Sequence, residues 1–318
     1  MSPIFPHFKP IEITDQEIIE NFIKDHPPYS NYSFVSLYCW DVDKRRKFSF
    51  LHGNLVFRTT SDITGKEFLT FLGTNRVPET IKELFLYAQR EGIQDALRLI
   101  PEEAVQFCSD PTLHLHIQED RDNFDYVYQV RELAELKGSK YENLRKSVNN
   151  FVKTYKESHK FKFFDLEKPN SKKEILSVWK AWQGINERYS VREEMALNRL
   201  LDHSHTLNLI NTMVLVHNRP VAFSINQIAH GNCSISHFAK ADYNYKGVLA
   251  FLDHETLKHL HRTGCEFMNF EEDMGLQSLR FAKNKYRPIK FLRKYTISQK
   301  YGMIKRYINY IFNRHRTT

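Results

Sequence analysis

The residues best suited to chemistry form an acidic cluster, Glu271-Glu272-Asp273, which stands immediately before a long basic segment. Residues 274–318 contain 12 of the 46 Lys and Arg of the chain and no Asp or Glu. Because the net charge is +8, the chain would be acidic without this segment. Carboxylates beside a local excess of cations are typical of a place where an anionic ligand meets a polar reacting group. The sequence therefore predicts the functional site at this junction.

The catalytic candidates are two carboxylates and one lysine. Glu271 could accept a proton from an attacking amine or hydroxyl, and we expect it on the same side of a strand as Asp273. Asp273 could share this role, or it could cap a helix that begins behind it, and the residues leave both roles open. Lys283 supplies a cation that could stabilise a developing oxyanion.

A helix behind the acidic cluster would collect polar side chains on one face. Spacings of three, four and seven residues predict such a face. Its members, with one neighbouring lysine, are Arg280, Lys283, Asn284, Lys285 and Arg287. The opposite, buried face would consist of Leu276, Leu279 and Ala282. The basic face could hold phosphates. The alternative is a solvated face with local ion pairs.

Two further segments carry candidate binding residues. Lys246 and Gly247 precede an expected helix, whose free N–H groups and positive dipole end favour the phosphates of a donor substrate. An ordinary helix start is the alternative. Tyr141, Arg145 and Asn149 are four residues apart on a linker helix and share one face. They could line a cleft between two halves of the protein or hold these halves together.

The elements that must position these residues follow the same order twice. In each half, helices precede antiparallel hairpins, and a helix and a final strand follow. We therefore expect an α/β (α+β) fold with two similar units, each a mixed, largely antiparallel sheet with flanking helices. The predicted boundaries are 1–135 for the first unit, 136–300 for the second unit with its linker helix, and 301–318 for a basic C-terminal helix.

Composition excludes several classes of protein. A hydrophobic content of 41% is ample for a packed core, so a disordered chain is not expected. The four cysteines lie far apart without a CxxC pair, which indicates reduced thiols. The sequence has no signal-peptide pattern and no run of about 18 uncharged apolar residues. We expect a cytoplasmic protein whose basic tail could touch an anionic membrane surface.

A metal site is not expected. His114 and His116 alternate on one strand face, but no third ligand is evident. His254 and His259 are five residues apart, and this spacing turns the second ring away from the first on a helix.

Three segments together resemble a known family. The segments are LAELKGSKYENLRKSVNNF (133–151), HFAKADYNYKGVLAFLDHETLKHL (237–260) and NFEEDMGLQSLRFAKNKYRPIKFLRKY (269–295). They are similar to the phosphatidylglycerol lysyltransferase C-terminal domain family. The last segment is the most specific, since it follows the pattern N-x-E-x-D-x-G-x-x-x-L-R-x-x-K-x-x-x-x-P. The resemblance spans about residues 10–300.

This resemblance implies a tandem GNAT-like fold and transfer of an aminoacyl group from aminoacyl-tRNA to a lipid or small-molecule amine or hydroxyl. No tightly bound cofactor is implied. The implied partners are tRNA, an anionic membrane surface and the acceptor. The lysyltransferases also carry a large membrane-embedded N-terminal region, which is not in this sequence. Two alternatives remain: an N-acyltransferase that uses acyl-CoA, and a non-catalytic scaffold that binds membrane or RNA. The oligomeric state is left open.

Overall fold

The computed structural model describes residues 2–61, 64–94, 96–108, 111–184 and 191–300, so the predicted helix over 301–318 lies outside the described residues. The helices are α1 (Gln16–Ile23), α2 (Phe34–Cys39), α3 (Val77–Glu91), α4 (Glu102–Val105), α5 (Val130–Glu135), α6 (Glu142–Thr154), α7 (Ser171–Gln183), α8 (Val191–Asp202), α9 (Val248–Arg262) and α10 (Gln277–Lys285). The strands are β1 (Lys9–Pro10), β2 (Lys47–Leu51), β3 (Asn54–Thr60), β4 (Glu67–Leu72), β5 (Ala96–Pro101), β6 (Leu115–Glu119), β7 (Asp125–Gln129), β8 (His159–Phe163), β9 (Leu209–Val216), β10 (Arg219–Ala229), β11 (Cys233–Ala241), β12 (Phe267–Asn269), β13 (Lys290–Leu292) and β14 (Lys294–Gln299).

The first compact unit is built from described residues of 2–26, 43–124 and 292–300. Its sheet has the order β1-β2-β3-β4-β5-β14-β6, and the β4–β5 pair is parallel. The apolar face of α3, including Ile81 and Leu84, packs on buried strand residues such as Phe71 and Leu97. Ile297 of β14 belongs to the same core and is fully buried. The last described strand of the chain thus completes the first sheet.

The second compact unit is built from residues 27–42 and the described part of 125–291. Its sheet has the order β13-β7-β12-β11-β10-β9-β8, and the β11–β12 pair is parallel. Helices α5, α6 and α9 pack together, and α9 lies on β9, β10 and β11. Helix α7 lies on β10 and β11. The predicted α/β fold with two mostly antiparallel sheets is therefore confirmed.

The units are discontinuous, whereas the sequence suggested contiguous units over 1–135 and 136–300. Strand β7 pairs with β12 in the second sheet, and β14 pairs with both β5 and β6 in the first. Sheet partners are chosen by hydrogen bonding in space, so the order of the elements along the chain does not reveal this exchange.

Helices cover both faces of the second sheet. Thr212 and Ser224 share one face, where Thr212 bonds to Thr256 of α9 at 2.9 Å. Lys240 points to the other face, where its ammonium lies 4.0 Å from the ring centre of Trp182 on α7. Strands β9, β10 and β11 are therefore packed on both faces, and they position the residues that follow β11 and β12.

Local sequence signals account for several element boundaries. The strands Lys47–Leu51 and Asn54–Thr60 flank a turn at His52-Gly53. Helix α3 ends at Glu91 and is capped by Gly92, which has a φ of 66°. Ser171 is the first residue of α7, and its hydroxyl donates to the Asp165 carbonyl at 2.5 Å.

Among the described residues, no helix is long and apolar enough to cross a membrane. The four cysteines are buried, and none of them forms a disulfide within the described residues.

Candidate functional site

The acidic cluster lies in an irregular loop between β12 and α10, which we call the acidic loop (residues 270–276). Glu271 was expected within a strand, but β12 ends at Asn269 and Glu271 has a φ of 58°. Met274 also has a positive φ, of 51°. Non-glycine residues adopt this conformation at a cost of about 1–3 kcal/mol each, so the surrounding contacts must hold them there.

Asn269 holds the start of the acidic loop. It is fully buried, and its side-chain oxygen accepts from the Glu271 amide at 2.7 Å. Its side-chain nitrogen donates to the Pro28 carbonyl at 2.9 Å and to Asp125 at 3.2 Å. Asp125 in turn accepts from the amide and hydroxyl of Ser30, at 2.8 and 2.7 Å. A buried polar network therefore enforces the unusual backbone at Glu271.

Glu271 is paired with a histidine. Its Oε1 lies 3.1 Å from Nδ1 of His237, which is buried on β11. The other ring nitrogen lies 3.1 Å from Gln227, and the Ser36 hydroxyl lies 3.4 Å from Nδ1. The Glu271 side chain is 21% exposed, and its Oε2 has no hydrogen-bond partner among the described residues. The pair therefore presents a fixed carboxylate with one open oxygen.

Asp273 has a different environment. It is 0% exposed and accepts from Nε and Nη2 of Arg280 at 2.9 and 2.8 Å, from the Tyr126 hydroxyl at 2.6 Å, and from the Gly275 amide at 2.9 Å. Burial alone would raise the pKa of Asp273, but the hydrogen bonds from Arg280, Tyr126 and Gly275 lower it below its ordinary value. The N-cap of α10 is Leu276, so Asp273 does not cap this helix, which was one of the two roles left open for it. Its geometry suits a structural carboxylate better than a proton acceptor.

Lys283 braces the backbone on both sides of Glu271. Its ammonium donates to the carbonyls of Phe270 and of Glu272, the latter at 2.7 Å. Burial lowers its pKa, although the charges of Glu271, Glu272 and other nearby acids oppose this shift. Two of its three N–H groups are thus used within the acidic loop, and the third has no hydrogen-bond partner among the residues that the structure describes.

Helix α10 turns two of its three charged residues towards the acidic loop. Arg280 and Lys283 bond to the acidic loop, whereas Phe281 is 65% exposed. The expected buried face over Leu276, Leu279 and Ala282 is wrong: Ala282 is exposed, the two leucines are half-buried, and no residue of α10 is buried. The acceptors for the cations come from the irregular loop, so helical spacing did not reveal which face is the inner one.

The remaining residues of the predicted basic face lie apart from this cluster. Asn284 and Lys285 are exposed, and Lys285 lies 4.5 Å from the ring centre of Phe281. Arg287 lies beyond the end of α10, is exposed, and its Nε is 3.4 Å from the Lys140 carbonyl.

The linker triplet makes local contacts. The Tyr141 hydroxyl donates to Glu132 at 2.7 Å, and burial followed by this bond raises its pKa. Arg145 donates to the Leu136 carbonyl at 2.5 Å. Asn149 is exposed. The first two residues join α5 to α6.

The turn before α9 is tightly packed. Gly247 is the N-cap of α9 and has a φ of 84°. A Cβ at this position would lie 2.5 Å from the Ser147 carbonyl oxygen on α6. Lys246 is exposed. Close helix packing thus explains the glycine, whereas binding of a phosphate here stays a prediction.

The structure therefore brings together four of the predicted residues, namely Glu271, Asp273, Arg280 and Lys283, around the acidic loop. Sequence reasoning missed His237 and the role of Asn269. The only signal for His237 was a titratable residue within a strand of small and apolar residues, and its partner is 34 residues away. Within the described ranges, no group of three or more His, Cys, Asp or Glu could hold a metal ion.

The motif N-x-E-x-D-x-G-x-x-x-L-R-x-x-K thus describes one interlocked structure, in which Asn269, Glu271, Asp273, Arg280 and Lys283 all contact the acidic loop or belong to it. Residues 25–298 match the model of the family "Phosphatidylglycerol lysyltransferase, C-terminal". The chain belongs to this family. An uncharacterised protein of Mycoplasmoides gallisepticum is 22% identical over 184 residues, which are 57% of this chain and 57% of that protein. The match thus spans little more than half the length of that curated relative.

Solved structures show the same fold. A conserved protein of unknown function from Bacteroides thetaiotaomicron is 24% identical, with a TM-score of 0.82 over 92% of this chain and 99% of that one. L-PGS from Bacillus licheniformis is 16% identical, with a TM-score of 0.63 over 92% and 94%. A tandem GNAT protein from the clavulanic acid biosynthesis pathway is 8% identical, with a TM-score of 0.50 over 91% and 97%. The predicted tandem GNAT-like fold is therefore confirmed, and the family and fold together support an acyltransferase.

Proposed function

We propose that this member of the family transfers an aminoacyl group from aminoacyl-tRNA to an amine or hydroxyl of a lipid or small molecule. The proposal rests above all on the Glu271–His237 pair: a partly exposed carboxylate is held 3.1 Å from a buried imidazole and keeps one oxygen open. A general base needs a fixed position, access to substrate and an available lone pair, and Glu271 has all three.

In the proposed reaction, Glu271 takes the proton of the acceptor amine or hydroxyl as its nitrogen or oxygen attacks the carbonyl carbon of the aminoacyl ester. The bond between this carbon and the ribose oxygen breaks, and the ribose hydroxyl regains a proton. An amide or ester forms on the acceptor. The remaining N–H of Lys283 could donate to the oxyanion that develops on the carbonyl oxygen.

Asp273 and Arg280 would support this reaction indirectly. Their ion pair joins the acidic loop to α10, and α10 carries Lys283. Asp273 is 0% exposed, and Arg280 is bound to it through two nitrogens, so we assign them a positioning role.

The exposed polar residues after the acidic loop are suited to RNA. Asn284, Lys285 and Arg287 are exposed, and no acid occurs from Met274 to the end of the chain. Phosphate contacts of this kind make affinity fall steeply as salt rises. We propose these residues, with Lys246, as contacts for tRNA phosphates, and an anionic membrane surface as a further partner where the acceptor is a lipid.

The test is transfer of radiolabelled amino acids from total charged tRNA into a lipid extract and into a pool of soluble amines. We expect label in one of these fractions, lost on ribonuclease treatment. Removal of the base in Glu271→Gln should lower the rate by about 100-fold or more, since positioned bases contribute about 10²–10⁴. His237→Gln should lower it less, because the carboxylate remains.

The matched control is Glu157→Gln, which removes an exposed carboxylate of the same unit and should leave the rate unchanged. A Glu271→Gln protein as active as the wild type would contradict the assignment of the base. Label that enters only from acyl-CoA would replace the donor and favour the acyl-CoA alternative. No transfer from either donor, with tRNA binding intact, would favour a binding scaffold.

A further inference from the structure

Arg199 on α8 is a half-buried cation that has no anionic partner within the described part of the chain. Its guanidinium carbon lies 4.2 Å from the ring centre of Tyr38, and among the described residues it forms no ion pair. Its Nε is buried and has no hydrogen-bond partner in the described part of the chain. The half-buried Arg280 of the same unit, by contrast, binds Asp273 through two nitrogens. A buried donor without an acceptor is uncommon in native proteins and calls for a specific explanation.

Tyr38 contributes a second open donor at the same place. The residue is 5% exposed, and its hydroxyl has no hydrogen-bond partner among the residues described. Burial raises its pKa, and the charge of Arg199 only partly opposes this shift, so the hydroxyl keeps its proton at neutral pH. The guanidinium stacks over the ring that carries this hydroxyl, and the two donors therefore lie within reach of one small ligand.

We infer that Tyr38 and Arg199 form a subsite for a singly charged oxyanion of the substrate, either a phosphodiester or a carboxylate. The planar guanidinium can donate to two oxygens of such a group at once, and the Tyr38 hydroxyl can donate to one of them. A single cation balances one negative charge, so a pyrophosphate or a phosphate monoester would fit less well. The stacking of Arg199 on a buried ring fixes the plane of the guanidinium before the ligand arrives.

Helix α2 connects this subsite to the proposed reaction centre. It carries both Tyr38 and Ser36, and the Ser36 hydroxyl lies 3.4 Å from Nδ1 of His237, the partner of Glu271. Because Ser36 and Tyr38 are two residues apart on one helical turn, the subsite lies no more than about 20 Å from the carboxylate. The inference rests on the proposed function in one respect: it adds that the acceptor or donor carries an oxyanion at this distance from its reacting group.

The test uses the full chain labelled with ¹⁵N-arginine and follows the Nε–H resonances by NMR. The Arg199 resonance is the one that disappears in Arg199→Gln. We titrate dimethyl phosphate and acetate, each against sodium chloride at equal ionic strength, to distinguish a phosphodiester from a carboxylate. We expect one of the two to shift the Arg199 resonance in a saturable manner. Arg262, exposed near the end of α9, provides the control in the same spectrum and should not shift.

Two variants sharpen the result. Tyr38→Phe keeps the ring but removes the hydroxyl, and it should weaken binding about 3- to 10-fold. Arg199→Lys keeps the charge but loses the planar pair of donors, and it should weaken binding by a similar factor, followed through the Tyr38 ring resonances of ¹³C-tyrosine-labelled protein because the Arg199 resonance is absent. If neither anion shifts the Arg199 resonance up to about 0.2 M, or if Arg262 shifts equally, the subsite does not exist.

The assay involves no transfer step, so its failure is distinct from failure of the proposed function. Binding at Arg199 with an active Glu271→Gln protein would retain the subsite and reject the base. Absence of binding at Arg199 with an inactive Glu271→Gln protein would reject the subsite and retain Glu271 as the base.

Discussion

The ion pair between Asp273 and Arg280 makes a strong prediction for stability. In Arg280→Met, the 0% exposed carboxylate of Asp273 would lose both guanidinium bonds and keep those from Tyr126 and Gly275. Breaking a buried pair from one side destabilises proteins by about 3–5 kcal/mol. The penalty has an upper limit, because the carboxyl can instead take up a proton. At pH 7 this costs about 4 kcal/mol for a group with an ordinary pKa of 3.8. We therefore expect a loss of about 3 kcal/mol at pH 7.

The stability lost in Arg280→Met should depend on pH through the ionisation of Asp273. The wild-type pair lowers the pKa of Asp273, so its stabilisation is present above the ordinary pKa and is lost as the pH falls through the lowered one. In Arg280→Met the buried carboxyl has a raised pKa and is protonated readily in acid. At pH 5 protonation costs only about 1.5 kcal/mol. The difference in unfolding free energy between wild type and variant should therefore fall from about 3 to about 1.5 kcal/mol between pH 7 and pH 5.

Urea unfolding followed by tryptophan fluorescence is the appropriate assay, since all three tryptophans, Trp40, Trp179 and Trp182, lie in the second unit with the ion pair. Arg262→Met is the control and should change stability by less than about 0.5 kcal/mol. In Asp273→Asn/Arg280→Met, the loss should be smaller than the sum of the two single losses. A loss below about 1 kcal/mol at pH 7, or one that grows towards pH 5, would refute the reasoning.

Two further predictions concern α9. Gly247→Ala places a Cβ 2.5 Å from the Ser147 carbonyl oxygen, and residue 247 has a φ of 84°, which favours glycine. The variant should lose about 2–4 kcal/mol of unfolding free energy in urea. The loss should be the same with and without CoA, because it comes from helix packing. A variant as stable as the wild type would show that α6 can move away. Asp253 accepts from the Tyr286 hydroxyl at 2.6 Å, and burial raises its pKa to about 7. Since this pKa lies above the ordinary value, ionisation of Asp253 lowers stability as the pH rises from about 4 to 7. Asp253→Asn should thus gain about 1–2 kcal/mol at pH 8 and little at pH 4, measured by the same unfolding assay; an equal change at both pH values would contradict the shift.

Local patterns in the sequence predicted the fold class and many of the elements, because these depend on periodicity and turn residues. The strands on either side of Gly53 and the helix that ends at Gly92 follow from such local signals. The exchange of β7 and β14 between the two sheets did not, since pairing between residues far apart in the chain has no local signature. For the same reason, the unit boundary suggested at residue 135 does not separate the two compact units.

The candidate site was located correctly as a segment but not in its internal geometry. The sequence indicated that residues 271–287 matter, and it proposed that Arg280 and Lys283 face a ligand. They face the acidic loop instead, because Asp273 and two backbone carbonyls act as their acceptors. These acceptors depend on positive φ values at Glu271 and Met274, which no periodic pattern could reveal. His237 was missed because its relation to Glu271 exists only after β11 and β12 pair.

The position of β14 has a consequence for how the protein is made. The first sheet needs this strand between β5 and β6, yet β14 lies about 180 residues after β6. At ordinary rates of translation of about 5–20 residues per second, the edges of β5 and β6 remain unpaired for roughly 10–40 s. Open strand edges invite pairing with other chains. We therefore expect a chain that stalls before Lys294 to be prone to aggregation and degradation.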